Sequence, residues 1–145
     1  MTEEKIKRML DACFLAKRIR DFLPELPDGV KPAYIQYMDT IHKLQGNGVQ
    51  RVKISDISDS LAIPRPGVTR TVKEMERCYL KKISSDEDAR ITYIEITVKG
   101  EELSEKYDKN YYSRLCRYLD GISEEEADCM INTIEKFYKV MSERR

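Results

Sequence analysis

Residues 54–100 read ISDISDSLAIPRPGVTRTVKEMERCYLKKISSDEDARITYIEITVKG. The order of signals in this run decides the fold. Ser55 is placed to cap a short helix that carries Ile57 and Leu61 on one face. Ala62-Ile63-Pro64 then forces a turn, because the residue before a proline is driven out of the helical region. Beyond the turn, Val68, Val72, Met75 and Tyr79 recur at intervals of four, three and four residues, the spacing of a buried helical stripe. Arg65, Thr69, Arg70, Lys73 and Arg77 take the other faces. After Leu80 the period changes to alternation, with Ile94, Ile96 and Val98 on one strand face and the polar loop Ser85-Asp86-Glu87-Asp88 before them. Two helices joined by a turn and followed by a β-hairpin outline a winged helix-turn-helix.

The flanks are helical. Ile6, Leu10, Cys13, Phe14 and Ile19 fall at helical spacing after Thr2, a capping residue followed by two glutamates that suit a helix start. That helix ends before Pro24, and LPELPDG makes a turn-rich connection. Pro32 opens a second helix bearing Ile35, Met38, Ile41 and Leu44, which Gly46-Asn47-Gly48 stops. Thr97 is placed to cap a long helix with Leu103, Tyr107, Tyr111, Leu115 and Tyr118, ending at Gly121. Ser123 and Glu126 have capping-box spacing before a last helix whose apolar face runs through Ala127, Met130, Ile131, Ile134, Phe137, Tyr138 and Met141. The expected architecture is mostly α (α+β), a single domain over residues 1–145. Its winged module spans 46–100, and the helices of 1–45 and 101–145 serve mainly dimerisation, because their apolar faces exceed what a small module covers.

Composition narrows the function. With 145 residues, 41% hydrophobic and 36% charged, the chain suits one folded domain that buries roughly 68–70% of its unfolded surface. Its 26 Lys and Arg cancel 26 Asp and Glu, so attraction to a polyanion must be local. Residues 65–82 supply such a patch: Arg65, Arg70, Lys73, Arg77, Lys81 and Lys82 stand against only Glu74 and Glu76. Cys13, Cys78, Cys116 and Cys129 show no close pairing, and His42, the single histidine, has no partner at metal-ligand spacing. No zinc site and no cofactor are expected. The start of the chain lacks the apolar core of a signal peptide, and no run approaches the length of a membrane span. A cytoplasmic protein with reduced thiols is expected. Neither a glycine-rich phosphate loop nor a nucleophile with its base is visible, so the chain does not read as an enzyme.

A helix that buries one stripe and shows Arg and Lys on the opposite face suits the major groove, where guanidinium groups read guanine edges or neutralise phosphates. Charged helix faces are common on any soluble domain, so the neighbouring motifs decide. Ile54-Ser55-Asp56-Ile57 to Leu61, Val68-Thr69-Arg70, Glu76-Arg77, Leu80, Asp88-Ala89-Arg90 and Ile96-Thr97-Val98-Lys99-Gly100 together resemble the MarR (multiple antibiotic resistance regulator) family. The resemblance covers about half of the chain by motif. It implies a homodimer, held by the first and last two helices, that sets two winged modules on double-stranded DNA at a pseudo-palindromic operator and acts as a repressor by occupancy. Carried over, Thr69, Arg70 and Lys73 belong to the recognition helix. Arg90 enters the minor groove from the wing, and Asp88 orients it. Arg65, Gly67 and Arg77 complete the expected DNA-contacting set. Where family members usually offer Ser or Thr at the start of that helix, this chain has Pro64-Arg65-Pro66-Gly67. Pro66 fits a first helical position and Gly67 allows backbone to approach phosphate closely.

The family's effector pocket lies where the dimerisation helices meet the winged module, which would draw on Phe14, Tyr34, Tyr37 and His42 for a small aromatic or amphipathic ligand. Aromatics at helical spacing more often fill cores. Cys13 sits in the helix where a thiol-sensing branch of the family, the organic-hydroperoxide regulators, carries its reactive cysteine. It also shares a stripe with Ile6 and Leu10, the pattern of a small, inert, buried residue. A different alternative is an adaptor that uses its winged module for protein contact.

Overall fold

The structure, a computed structural model, describes residues 1–27 and 29–144. Asp28, in the proline-rich connection, and Arg145 lie outside the described residues. The elements run α1 (Glu3–Ile19), a 3-10 turn (Arg20–Phe22), α2 (Pro32–Gly46), β1 (Val52–Lys53), α3 (Ile54–Leu61), α4 (Arg65–Met75), β2 (Leu80–Ser84), β3 (Thr92–Ile96), α5 (Val98–Tyr107), a π-helical turn (Asp108–Tyr112), α6 (Ser113–Tyr118) and α7 (Glu124–Ser142). They form two compact units, Met1–Thr97 and Val98–Arg145.

Local chemistry sets the helix ends. The Lys5 amide donates to Thr2 Oγ1 at 3.2 Å, with Glu3 and Glu4 in the first turn and Lys17 and Arg18 in the last, each favourable to the helix dipole. Pro32 opens α2, and just past its end Gly48 takes φ +96°, a left-handed value that glycine adopts without strain. Helix α3 starts two residues earlier than a Ser55 cap suggests: the Lys53 amide donates to Asp56 Oδ2 at 2.9 Å, and that carboxylate closes the first turn in place of a serine cap. It ends at Ala62, which has φ 53° and ψ 39°. A non-glycine residue there costs about 1–2 kcal/mol, and Ser58 offsets it. The Ile63 amide donates to the Ser58 carbonyl at 3.2 Å while the Ser58 hydroxyl donates to the Ile63 carbonyl at 2.5 Å. The turn between α3 and α4 is thereby tied from both sides.

The core of the first unit gathers Ile35, Met38 and Ile41 of α2, Ile57 of α3, Val68, Val72 and Met75 of α4, and Val52, Leu80 and Ile94 of the three strands, all buried. Helix α2 packs on α3, α4 and β1, so its apolar face lies in the winged module. The stripe expected on α4 is present through Met75. Tyr79 falls beyond the helix end, in the turn before β2, with its ring 6.0 Å from that of Tyr34.

The sheet is antiparallel in the order β1-β3-β2, with Val52 opposite Ile94, Lys82 opposite Ile94 and Leu80 opposite Ile96. Its third strand was not expected from sequence. Val98 is corrected as well. It begins α5 and is 76% exposed, because β3 ends at Ile96 and the Thr97 amide donates to the Tyr79 carbonyl at 2.9 Å. The Thr97 hydroxyl donates to the Cys78 carbonyl at 2.6 Å, which pins the strand end to the turn that follows α4.

In the second unit a π-helical turn interrupts the long helix expected to run to Gly121, and Tyr107, Tyr111 and Tyr112 cluster there. The Tyr107 and Tyr111 rings stack at 4.2 Å and Tyr112 meets both edge-on. The capping box forms as expected: the Glu126 amide donates to Ser123 Oγ at 3.1 Å and the Ser123 amide to Glu126 Oε2 at 2.9 Å. Neither α1 nor α7 buries a single residue. Ile6, Leu10 and Phe14 on one, and Met130, Ile131, Ile134 and Tyr138 on the other, are exposed in the chain alone. Among the described residues no helix is long and apolar enough to cross a membrane.

Candidate nucleic-acid interface

Helix α4 carries the centre of the candidate site. At about 100° per residue, Arg70 and Lys73 fall on the side away from Val68, Val72 and Met75, which are fully buried. Thr69 and Arg65 flank them, and Arg77 follows in the turn after the helix. All five are exposed. Burial of the opposite stripe fixes which side faces out, and the turn tied by Ser58 fixes where the helix begins. That beginning is Arg65 with Pro66 second, one residue earlier than expected.

The basic segment is sorted by its partners. Lys82 pairs with Glu76 at 2.8 Å and Lys81 with Glu95, its cross-strand neighbour, at 3.3 Å. Among the described residues Arg65, Arg70, Lys73 and Arg77 hold no ion pair. The six bases counted in sequence therefore leave four on the outer face of α4 and its exit. Gly67 stands apart from them. A Cβ there would meet Ile63 Cγ2 at 3.3 Å, so the glycine serves the close packing of α4 on the preceding turn.

The wing tip between β2 and β3 is braced from within. The Ser85 amide donates to the Ile91 carbonyl at 2.9 Å, the Ile91 amide to the Asp88 carbonyl at 3.0 Å, and the Glu87 amide to Ser85 Oγ at 3.2 Å. Asp88 holds Arg90 three ways: its Oδ1 accepts the Arg90 amide at 3.0 Å and Nε at 3.2 Å, and its Oδ2 accepts Nη2 at 3.2 Å. The guanidinium hydrogen bonds, with help from the backbone one, hold the Asp88 carboxyl below its ordinary value. Asp88 and Arg90 thus pair through two guanidinium hydrogen bonds, and the Arg90 side chain is 90% exposed. An exposed ion pair adds little to stability. Its effect is to reduce the number of directions in which the cation points.

Two features lay beyond sequence reasoning. Glu74, the acid within the basic helix, accepts hydrogen bonds at Oε2 from Lys31 Nζ at 2.9 Å and from the Tyr34 hydroxyl at 3.0 Å. Forty-three and 40 residues separate these partners, so no local pattern marks them. Arg51, just before β1, lies with its guanidinium carbon 5.2 Å from the centre of the Tyr93 ring. A cation over an aromatic ring is favourable, but without β1 in view the two residues have no reason to meet.

The four residues expected at an effector pocket have different surroundings. Tyr34 is 7% exposed, and Tyr37 is also buried, both on α2; His42 is half-buried near the end of that helix; Phe14, on α1, is 71% exposed. Burial first, and then the hydrogen bond to Glu74, raises the Tyr34 phenol above its ordinary value. Cys13, expected to be a buried apolar residue, is exposed in this chain because α1 buries nothing. No cluster of three or more metal-ligating side chains occurs among the described residues.

No family model and no curated protein matches the chain. Solved structures do. FabT of Streptococcus pneumoniae, solved in complex with DNA, is 20% identical over 99% of this chain and 100% of its own, with a TM-score of 0.63. MepR of S. aureus, also solved as a DNA complex, is 19% identical over 97% and 99%, with a TM-score of 0.65. A MarR family protein from Bacillus stearothermophilus is 20% identical over 98% and 99%, with a TM-score of 0.61. What this chain shares with all three is the fold, a winged helix-turn-helix flanked by helices at both ends.

Proposed function

We propose, from the MarR-type winged-helix fold that the chain adopts, that the protein is a sequence-specific, double-stranded-DNA-binding transcriptional regulator. It acts as a homodimer on a pseudo-palindromic operator and represses by occupancy. The observation that carries this reading is the outer face of α4, where Arg70 and Lys73 stand opposite a fully buried stripe and hold no ion pair among the described residues. Structural neighbours of the same fold were solved on DNA, which supports it. The defining experiment is selection of bound fragments from a genomic DNA pool, followed by sequencing.

With the selected duplex in hand, two substitutions separate the roles within the site. Arg70→Ala is expected to weaken specific binding by about 1–3 kcal/mol, the range for a guanidinium that reads a guanine edge with both prongs. Arg90→Ala is expected to lower affinity and the slope of log affinity against log salt by about two units, as one cation is lost from each of the two wings of the dimer. Its thermal midpoint stays at the wild-type value, because Arg90 is exposed. Fluorescence anisotropy over a salt series measures both. Unchanged affinity in a folded Arg70→Ala protein would remove α4 from the assignment, and a lower melting temperature with unchanged binding would make Arg90 structural.

For the signal, the reading keeps a small aromatic or amphipathic ligand that binds the DNA-incompetent state more tightly, since equal affinity for both states shifts nothing. A second reading is release by oxidation of Cys13, which is exposed in the single chain on the α1 stripe that the proposed homodimer would cover. Titrating the protein–DNA complex with aromatic acids and with organic hydroperoxide distinguishes them. Release by peroxide in wild type and not in Cys13→Ser would establish the second and sink the first.

A further inference from the structure

Glu74 is an acid on a helix whose other charged side chains, Arg65, Arg70 and Lys73, are all cations. Its carboxylate is tethered at two points, by the ammonium of Lys31, the residue just before α2, at 2.9 Å and by the hydroxyl of Tyr34 on α2 at 3.0 Å, both on the same oxygen. The two tethers differ in kind. Lys31 is exposed and mobile by nature, whereas Tyr34 is buried, with its ring against Tyr79, so its hydroxyl is a fixed point. Along α4, Glu74 lies four residues after Arg70, a separation at which helical side chains are neighbours, and Arg77 follows in the turn after the helix. Its negative charge is felt by Arg70, one of the cations assigned to DNA, while its oxygen is anchored to the core helix.

We propose that Glu74 is a positioning residue for base reading: anchored by Tyr34 and Lys31, it fixes the rotation of α4 about its own axis and so the direction in which Arg70 leaves the helix. The inference rests on the DNA-binding reading and adds to it the part that sets discrimination. The buried stripe Val68, Val72 and Met75 holds α4 to the module, but apolar contacts are non-directional and leave small rotations inexpensive. A two-pronged contact to a base tolerates only about 10–20° of misdirection, whereas a contact to phosphate follows the charge wherever it moves. Loosening the anchor therefore harms recognition of one sequence more than attachment to any sequence. Glu74 also repels phosphate, which lowers binding to all DNA alike.

The test compares the ratio of affinities for the selected duplex and a scrambled duplex of the same length, at several salt concentrations, in the full chain. Tyr34→Phe, which removes one oxygen from the core side, and Glu74→Ala, which removes the exposed end of the tether, are each expected to lower that ratio about tenfold. The salt slope of Tyr34→Phe stays at the wild-type value, because no cation is lost. Glu74→Gln keeps an oxygen for the Tyr34 hydroxyl and is expected to retain most of the ratio while binding both duplexes more tightly. A ratio unchanged in both Tyr34→Phe and Glu74→Ala would overturn the proposal. So would an equal loss on both duplexes that tracks a lower melting temperature, the mark of a structural role alone. Wild-type protein that binds neither duplex would instead overturn the DNA-binding reading on which the proposal stands.

Discussion

Ile57→Ala is expected to lower the stability of the chain by about 2–5 kcal/mol, the range for removing three buried carbons from a site that cannot collapse. Ile57 is 0% exposed. It sits on α3, the element that packs against α2, α4, β1 and β3 together, so no single neighbour can move in to fill the cavity without leaving another. Domains are stable by only about 5–15 kcal/mol, and the loss should be visible as a large fall in the urea midpoint with an unchanged denaturant slope. Ile57→Val, which leaves two of those carbons in place, should cost about 0.5–1.5 kcal/mol. A loss below about 1 kcal/mol for the alanine variant would mean that α3 is less closely held than its burial implies.

The second large effect concerns assembly. Helices α1 and α7 have strong apolar faces and bury nothing in the chain alone, an arrangement that exposes Leu10, Phe14, Met130, Ile131 and Ile134 to water. Exposed apolar patches of this extent mark association surfaces, and a second copy of the chain is the partner that the proposed homodimer supplies. Wild-type protein is expected to sediment as a dimer at micromolar concentration, with roughly 2,000 Å² or more buried between protomers. The double variant Ile131→Asp, Ile134→Asp puts two charges into that surface and is expected to sediment as a monomer while keeping its helical circular-dichroism signal, since neither side chain is buried within the chain. Its DNA affinity should fall steeply as well, because two linked half-site contacts become one. A wild-type monomer at that concentration would remove the two-half-site account.

These expectations draw on features with different degrees of visibility in sequence. The stripe through Val68, Val72 and Met75 was legible because a helix that is half buried repeats its apolar residues at the helical period, and Thr2, Pro32 and the Ser123–Glu126 box were legible because helix ends have few chemical solutions. Strand β1 was not. Two residues, Val52 and Lys53, are too few to display an alternation, and only their pairing with Ile94 and Tyr93 makes them a strand. Val98 continued the alternation of Ile94 and Ile96 by chance, and the Thr97 hydrogen bonds to the α4 exit decided where the strand stops. In the candidate site, the exposed arginines and the Asp88–Arg90 pair could be named from local spacing. The Glu74 anchor, the engagement of Lys82 by Glu76 and the packing of Gly67 on Ile63 could not, because each depends on how separate elements meet. Cys13 went the other way: its stripe is apolar as read, but nothing in the single chain covers it.

The central claim, that α4 reads a DNA sequence, is tested most directly by one anisotropy titration of wild-type protein against the selected duplex and its scrambled counterpart over a salt series. The account predicts tighter binding to the selected duplex by about 10³-fold or more, with log affinity falling linearly in log salt for both. Equal affinity for the two duplexes, or binding that does not respond to salt, would contradict it.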